Sequence, residues 1–146
     1  MTAGELLAFM RTHRVAVQAS VAEDARAQAA VVGIAMTDRF EVVFDTLGSS
    51  RKARNLRARP SIALVMGGSL PGDERTVQYE GVADEPEGDE RDRLTRAYYE
   101  VYPDGRDRLS WPGLTYFRVR PRWIRYSDFS QPTPLIVEFT AAQLGA

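Results

Sequence analysis

Short runs of alternating polarity recur along this chain, separated by turn residues, and helical periodicity breaks in at only a few points. In "RVAVQASV", Val15, Val17, Ala19 and Val21 alternate with Ala16, Gln18 and Ser20, the period of a half-buried strand. The polar "AEDARAQ" turns the chain into a second strand, Ala29 to Met36, that is apolar on both faces. "TDR" then leads to a third, Phe40 to Thr46, with Phe40, Val42 and Phe44 on one side. These three read as an antiparallel meander. "SIALVM" supplies a fourth strand, and "RTVQYEGVA" a fifth that turns Val77, Tyr79 and Gly81 one way and Thr76, Gln78 and Glu80 the other. "LTYFRVRPRWIRYSDF" is a long strand interrupted at Pro121, and "PLIVEF" adds an edge strand before a short terminal helix.

Helical signals are few. Thr2 with Glu5 is a capping-box pattern that opens a short helix carrying Leu6, Phe9 and Met10 on one side. A second short helix follows Ser50 and stops at Pro60. A third begins in an acidic segment, carries Leu94, Ala97, Tyr98 and Val101 at helical spacing and stops at Pro103. This order gives a mainly β fold, a six- to seven-stranded antiparallel barrel with short flanking helices, in one domain over residues 1–146. Gly67, Gly68 and Gly72 follow a strand but open no helix, so they form no dinucleotide loop.

The composition removes several chemistries. The chain has no cysteine, which excludes thiolate nucleophiles, thiolate zinc sites and iron–sulfur ligation. Its one histidine, His13, sits between a helix and a strand and reads as a helix-end cation, so no metal site is assigned. No side chain stands out as a catalytic acid, base or nucleophile. A formal net charge of −1 gives no overall field to draw in a polyanion, so nucleic acid is not an expected partner. No charged leader opens the chain and no apolar run approaches the roughly 18 residues of a membrane span. The expectation is a cytoplasmic chain with no membrane partner.

One stretch departs from this pattern. "FDTLGSSRKARNLRARP" runs from a strand end through a Gly/Ser turn into five cations, Arg51, Lys52, Arg54, Arg57 and Arg59. Such a run is a solvated face unless something gathers it. A Gly/Ser turn that opens a helix does so by aiming free N–H groups, hydroxyls and cations at one point, the makings of a phosphate site. Arg51 and Lys52 lie at that point, whereas Arg57 and Arg59 fall further along and are expected to face solvent. Taken alone, Thr46 and Ser50 read equally well as turn and cap hydroxyls.

This stretch, followed by "RTVQYEGVA" and "YFRVRPRWIRYSDF", resembles the pyridoxamine 5′-phosphate oxidase-like family of flavin-binding split β-barrels, from about Leu6 to Phe129. The resemblance implies a homodimer that holds flavin mononucleotide (FMN), with its phosphate on Thr46, Ser50, Arg51 and Lys52 and with Ser49 also among the cofactor-binding residues. Asn55, Leu56 and Pro60 continue the same motif. It further implies that the flavin ring lies near Val32 and Asp45, with Thr76 and Gln78 at its edge and the second subunit completing the pocket; Trp111, in a Pro/Gly turn, reads equally as a cover on the ring from that subunit or as a packing anchor. The function implied is a flavin-dependent oxidoreductase acting on a small molecule. Relatives with a similar "K-x-x-N-L" turn use a deazaflavin, and others are non-enzymatic flavin- or haem-binding stress or storage proteins. Members that oxidise pyridoxamine phosphate carry basic residues on the second strand and an Arg- and His-containing end motif. This chain has "AAVVGIAM" and no such motif, so oxidation of that substrate is not expected.

Overall fold

In a computed structural model, which describes residues 1–145, the chain forms one curled antiparallel sheet with helices on its ends and one flank. Helix α1 (Ala3–Arg11) opens with the capping box formed by Thr2 and Glu5 and buries Leu6 and Met10. The strands are β1 (Val15–Val21), β2 (Ala27–Gly33), β3 (Ala35–Met36), β4 (Val42–Leu47), β5 (Ser61–Gly67), β6 (Arg75–Asp84), β7 (Leu114–Asp128) and β8 (Leu135–Thr140). Helix α2 (Arg51–Ala58) follows β4, α3 (Gly88–Val101) follows β6, and α4 (Ala141–Leu144) ends the described chain. A 3₁₀ segment, Pro103–Ser110, connects α3 to β7.

The sheet order is β2-β1-β5-β6-β7-β4-β3, with β8 also on β7. β7 divides its outer edge between two partners: Leu114–Val119 pair with β4, and Trp123–Asp128 pair with β8. That division, together with the twist along a strand of 15 residues, curls the sheet on itself. Pro121 does not break β7. The register slips beside it, Glu80 pairing with Trp123 and Gly81 with Pro121, so Arg122 is the extra residue of a bulge that spares the missing proline N–H. Gly81 is required there, because a Cβ would lie 2.4 Å from the Arg120 carbonyl oxygen.

Two expectations need correction. The Ala29-to-Met36 strand is divided at Ile34 into β2, which pairs with β1, and β3, which pairs with β4, so the expected antiparallel meander is kept but bent at that division, and β4 pairs along its whole length with β7. Phe40 is not on a strand. It sits in a turn at φ 59, where its carbonyl receives the Tyr79 hydroxyl at 2.9 Å, and β4 begins at Val42. The alternation in β1 also has a definite sense: Ala16, Gln18 and Ser20 face inward, while Val15, Val17 and Val21 stay exposed.

The main core fills the curl with Leu6, Met10, Phe44, Leu64, Met66, Tyr79, Phe117 and Ile124, where the rings of Phe44 and Phe117 stack at 5.6 Å. A second cluster, Ala35, Val43, Leu94, Tyr98 and Tyr116, lies under α3. A charged network fastens α3 to the sheet beside it. Glu41, almost wholly buried, receives both Arg93 Nη atoms at 2.8 and 3.0 Å and the Thr37 hydroxyl at 2.8 Å. Arg118 joins Asp84 to Glu90. Burial pushes the Glu41 carboxyl upward, but the hydrogen bonds from Arg93 and Thr37 and the nearby guanidinium charges outweigh it and hold it below the usual carboxylate value.

Candidate anion and cofactor site

The site begins where β4 ends. Gly48 turns the chain with its N–H on the Gly113 carbonyl at 2.7 Å and its own carbonyl on Arg57 Nη1 at 2.9 Å. A Cβ at Gly48 would meet both groups, at 3.1 Å from Arg57 and 3.3 Å from Gly113, so the turn is clamped tightly. Ser50 caps α2 by accepting from the Ala53 N–H, and its hydroxyl lies 3.0 Å from that of Thr46. Lys52 Nζ donates to the same Thr46 hydroxyl at 3.3 Å. Thr46, Ser50 and Lys52 are thus gathered at the start of α2, where the N–H groups of Arg51 and Lys52 belong to the first turn and have no partner within the helix. Ser49 is exposed in the same turn.

The five cations divide in a way that spacing alone did not reveal. Arg57 forms a two-pronged pair with Glu85 at 2.6 and 2.8 Å, and Arg59 donates to the Val21 carbonyl at 2.9 Å, so neither merely faces solvent. Among the described residues Arg51, Lys52 and Arg54 have no acidic partner. Arg51 and Lys52 line a cleft of about 250 Å³ with Gln18, Ser20, Gln28, Ala29 and Ala30. Arg51 and Arg54 line a neighbouring cleft of about 530 Å³ with Arg26, Glu23 and Asp24. Arg54 is a cleft-lining residue that the sequence reading missed. Its spacing of three from Arg51, which puts both on one helix face, was the available signal.

The remainder of the motif has a structural cause. Asn55 is buried and donates to the Ser20 hydroxyl at 3.0 Å and the Gln28 side chain at 2.9 Å, which docks α2 against β1 and β2. Leu56 enters the main core, and the Pro60 carbonyl accepts from the Ala83 N–H at 2.8 Å. These residues hold the start of α2 at the mouth of the cleft.

The other residues expected near the ring are spread over different faces. Asp45 and Thr46 are consecutive on β4 and so point to opposite sides. Asp45 faces α3, where Tyr98 donates to one carboxylate oxygen at 3.0 Å and Arg108 Nε to the other at 2.9 Å. Burial and the Asp45 charge push the Tyr98 phenol well above its usual value, so it stays protonated as a donor. Val32 is buried in the core opposite Ala16. Thr76 and Gln78 lie on the outer sheet face, where Val31, Val17, Val65 and Gln78 sit side by side across four strands. Trp111 is exposed at the end of the 3₁₀ segment, in the loop whose Gly113 holds Gly48. Within one chain, then, the phosphate-directed residues converge and the ring-directed ones do not.

The sequence matches the family Pyridoxamine 5'-phosphate oxidase over residues 2–128. No curated protein matches it. Among solved structures it is similar to a haem-binding protein from Mycobacterium smegmatis, with a TM-score of 0.84 and 16% identity over 97% of this chain and 59% of that chain. It is also similar to HutZ, the haem-storage protein of Vibrio cholerae, with a TM-score of 0.71 and 16% identity over 96% and 95% of the two chains. General Stress Protein 26 from Bacillus anthracis gives a TM-score of 0.68 and 19% identity over 94% and 100%. At these identities the likeness is one of fold. Among the described residues no helix is long and apolar enough to cross a membrane.

Proposed function

The chain belongs to the pyridoxamine 5′-phosphate oxidase family, and on that premise we propose that it binds flavin mononucleotide at the start of α2 and works as a flavin-dependent oxidoreductase on a small molecule other than pyridoxamine phosphate. The observation that carries this reading is the convergence of Lys52, Thr46 and Ser50 at a helix start, with no acidic partner for Arg51 among the described residues. A phosphate dianion is held by several charge-assisted donors at once, and this turn supplies ammonium, guanidinium, hydroxyl and first-turn N–H groups together. The donor set therefore fits the phosphate end of the cofactor. When bound, the flavin ring supplies the electron transfer, and the protein's share is to bind, orient and shield it.

A homodimer is part of the same proposal. Val15, Val17, Val31 and Val65 are 51%, 42%, 68% and 44% exposed on one contiguous sheet face, which is unusual for four β-branched residues in paired strands. A second copy packed there would bury them and bring its own residues beside Thr76 and Gln78. An isologous contact of this kind lets two incomplete ring sites complete each other. The test is spectroscopic: apoprotein mixed with FMN, deazaflavin or haem is passed through a desalting column and its visible spectrum read. Retention of the FMN spectrum at one flavin per chain is expected. Retention of deazaflavin and not FMN, or of neither, contradicts the reading.

A second reading is favoured by one geometry. His13 Nδ1 lies 3.1 Å from the Phe9 carbonyl oxygen, which can only accept, so this contact engages Nδ1 as a donor and leaves Nε2 as the ring nitrogen turned to other partners. His13 borders a cleft of about 310 Å³ with Val15, Val17, Val31 and Val65, an apolar wall beside an imidazole oriented by a backbone carbonyl. With haem bound, His13 would be the residue to hold the iron and the valines would cover the ring, which suits a binding or storage role. Haem retention that disappears in His13→Ala, with FMN not retained, would establish it in place of the flavin reading.

A further inference from the structure

We propose that Gln18 is a ligand-contacting residue: its carboxamide oxygen accepts a hydrogen bond from a hydroxyl of a polyol phosphate held at the start of α2, which in the flavin reading is the ribityl chain. The inference rests on that reading for the identity of the ligand. Gln18 is 1% exposed on the inward face of β1, and its Oε1 has no protein donor among the described residues. Buried side-chain oxygens are almost always paired, so an orphan in a strand interior points to a partner outside the chain.

The surroundings define that partner's chemistry. The Asn55 amide on α2 spends both its N–H groups on Ser20 and Gln28 and leaves Gln18 out. Gln18 lines the cleft of about 250 Å³ that Arg51 and Lys52 also line, with Ala29 and Ala30 on its β2 side leaving room. A phosphate on Arg51 and Lys52 offers only acceptor oxygens and cannot satisfy Oε1. A hydroxyl on the carbon chain next to that phosphate can donate to Oε1. The required ligand therefore carries both a phosphate and a nearby hydroxyl, the pattern of a sugar or polyol phosphate.

The test exploits the conflict between apoprotein stability and binding. Gln18→Met and Gln18→Leu remove the orphan with little change of volume, so the apoprotein melting temperature is expected to rise by about 2–4 °C. Affinity for both FMN and riboflavin is expected to fall about tenfold, because both carry the ribityl hydroxyls. Arg51→Ala provides the contrast, weakening FMN and sparing riboflavin. A lower melting temperature with unchanged affinities would make Gln18 a packing residue, and a loss confined to FMN would place it on the phosphate; either overturns the inference. If the wild type binds neither flavin, the cofactor reading fails and a second probe decides this one. Ribose 5-phosphate must then raise the melting temperature more than equimolar inorganic phosphate does, and Gln18→Met must abolish the difference. No difference overturns the inference.

Discussion

Replacing Arg93 by Met removes the main partner of a carboxylate that the fold has buried. Glu41 is 4% exposed and would keep only the Thr37 hydroxyl at 2.8 Å and Arg118 at 3.5 Å. Breaking a buried pair from one side costs about 3–5 kcal/mol. Here the Arg93 side chain is 27% exposed and Arg118 remains nearby, so about 2–3 kcal/mol is expected at pH 7. For a chain of this size, with an unfolding entropy of roughly 0.3 kcal/mol/K, that is a fall of about 7–10 °C in melting temperature. The double variant Glu41→Gln with Arg93→Met is expected to recover about half of it, because the uncompensated charge is gone. The pH dependence carries the sign. In the wild type the folded carboxyl is depressed, so its contribution is present above the unfolded value near pH 4.3 and fades as pH falls below it. In Arg93→Met, burial dominates and raises the folded carboxyl, so the penalty is present at neutral pH and relieved as pH falls through that raised value. Melting curves at fixed protein concentration from pH 7 to pH 4 should show the gap between the two proteins narrowing. A gap that stays constant with pH, or is under about 1 kcal/mol at pH 7, refutes the reasoning.

Three other outcomes follow from the same structure. Gly33→Ala places a Cβ 2.8 Å from the Tyr102 hydroxyl and 2.9 Å from its ring, and is expected to cost about 1–3 kcal/mol in chemical denaturation; an unchanged midpoint would mean that Tyr102, just beyond the end of α3, does not pack against Gly33. Val31→Glu with Val17→Glu puts two charges on the exposed valine face and should convert a dimer to monomers in sedimentation, whereas an unaltered dimer would move the subunit contact elsewhere. Turnover of pyridoxamine phosphate by FMN-loaded protein is expected to stay far below roughly one per second, and a rate at or above that would overturn the reading of "AAVVGIAM" as lacking the substrate's partners.

How much of this was legible in the chain depended on the range of the interaction. Local signals were read directly: the Thr2 and Glu5 capping box, the start of α2 at Ser50, and the polar and apolar sides of β6. The alternation in β1 was visible, but not its sense, because three valines on one side outweigh the small and polar residues that the curl turns inward to face α2. Partners separated by about fifty residues, such as Glu41 with Arg93 or Asp45 with Tyr98, leave no mark in spacing. Nor does the pairing of Arg57 with Glu85, which is what reduces five cations to the three left for an anion. Pro121 looked like an interruption because a missing N–H is visible in sequence, while the bulge at Arg122 that absorbs it needs the space left by Gly81 on another strand.

The central claim is that the start of α2 holds the phosphate of a flavin, and the most direct measurement titrates apoprotein with FMN and with riboflavin for Arg51→Ala and Arg59→Ala. The two variants lose equal charge a short distance apart, but Arg51 lines the cleft with Lys52 while Arg59 is held by the Val21 carbonyl. Arg51→Ala is expected to weaken FMN by about 1.5–3 kcal/mol, roughly 10- to 150-fold, and to leave riboflavin nearly unchanged. Arg59→Ala is expected to change FMN affinity by less than about threefold, as a screened charge outside direct contact. Equal losses for the two variants, or equal losses of FMN and riboflavin in Arg51→Ala, would contradict a phosphate site at Arg51.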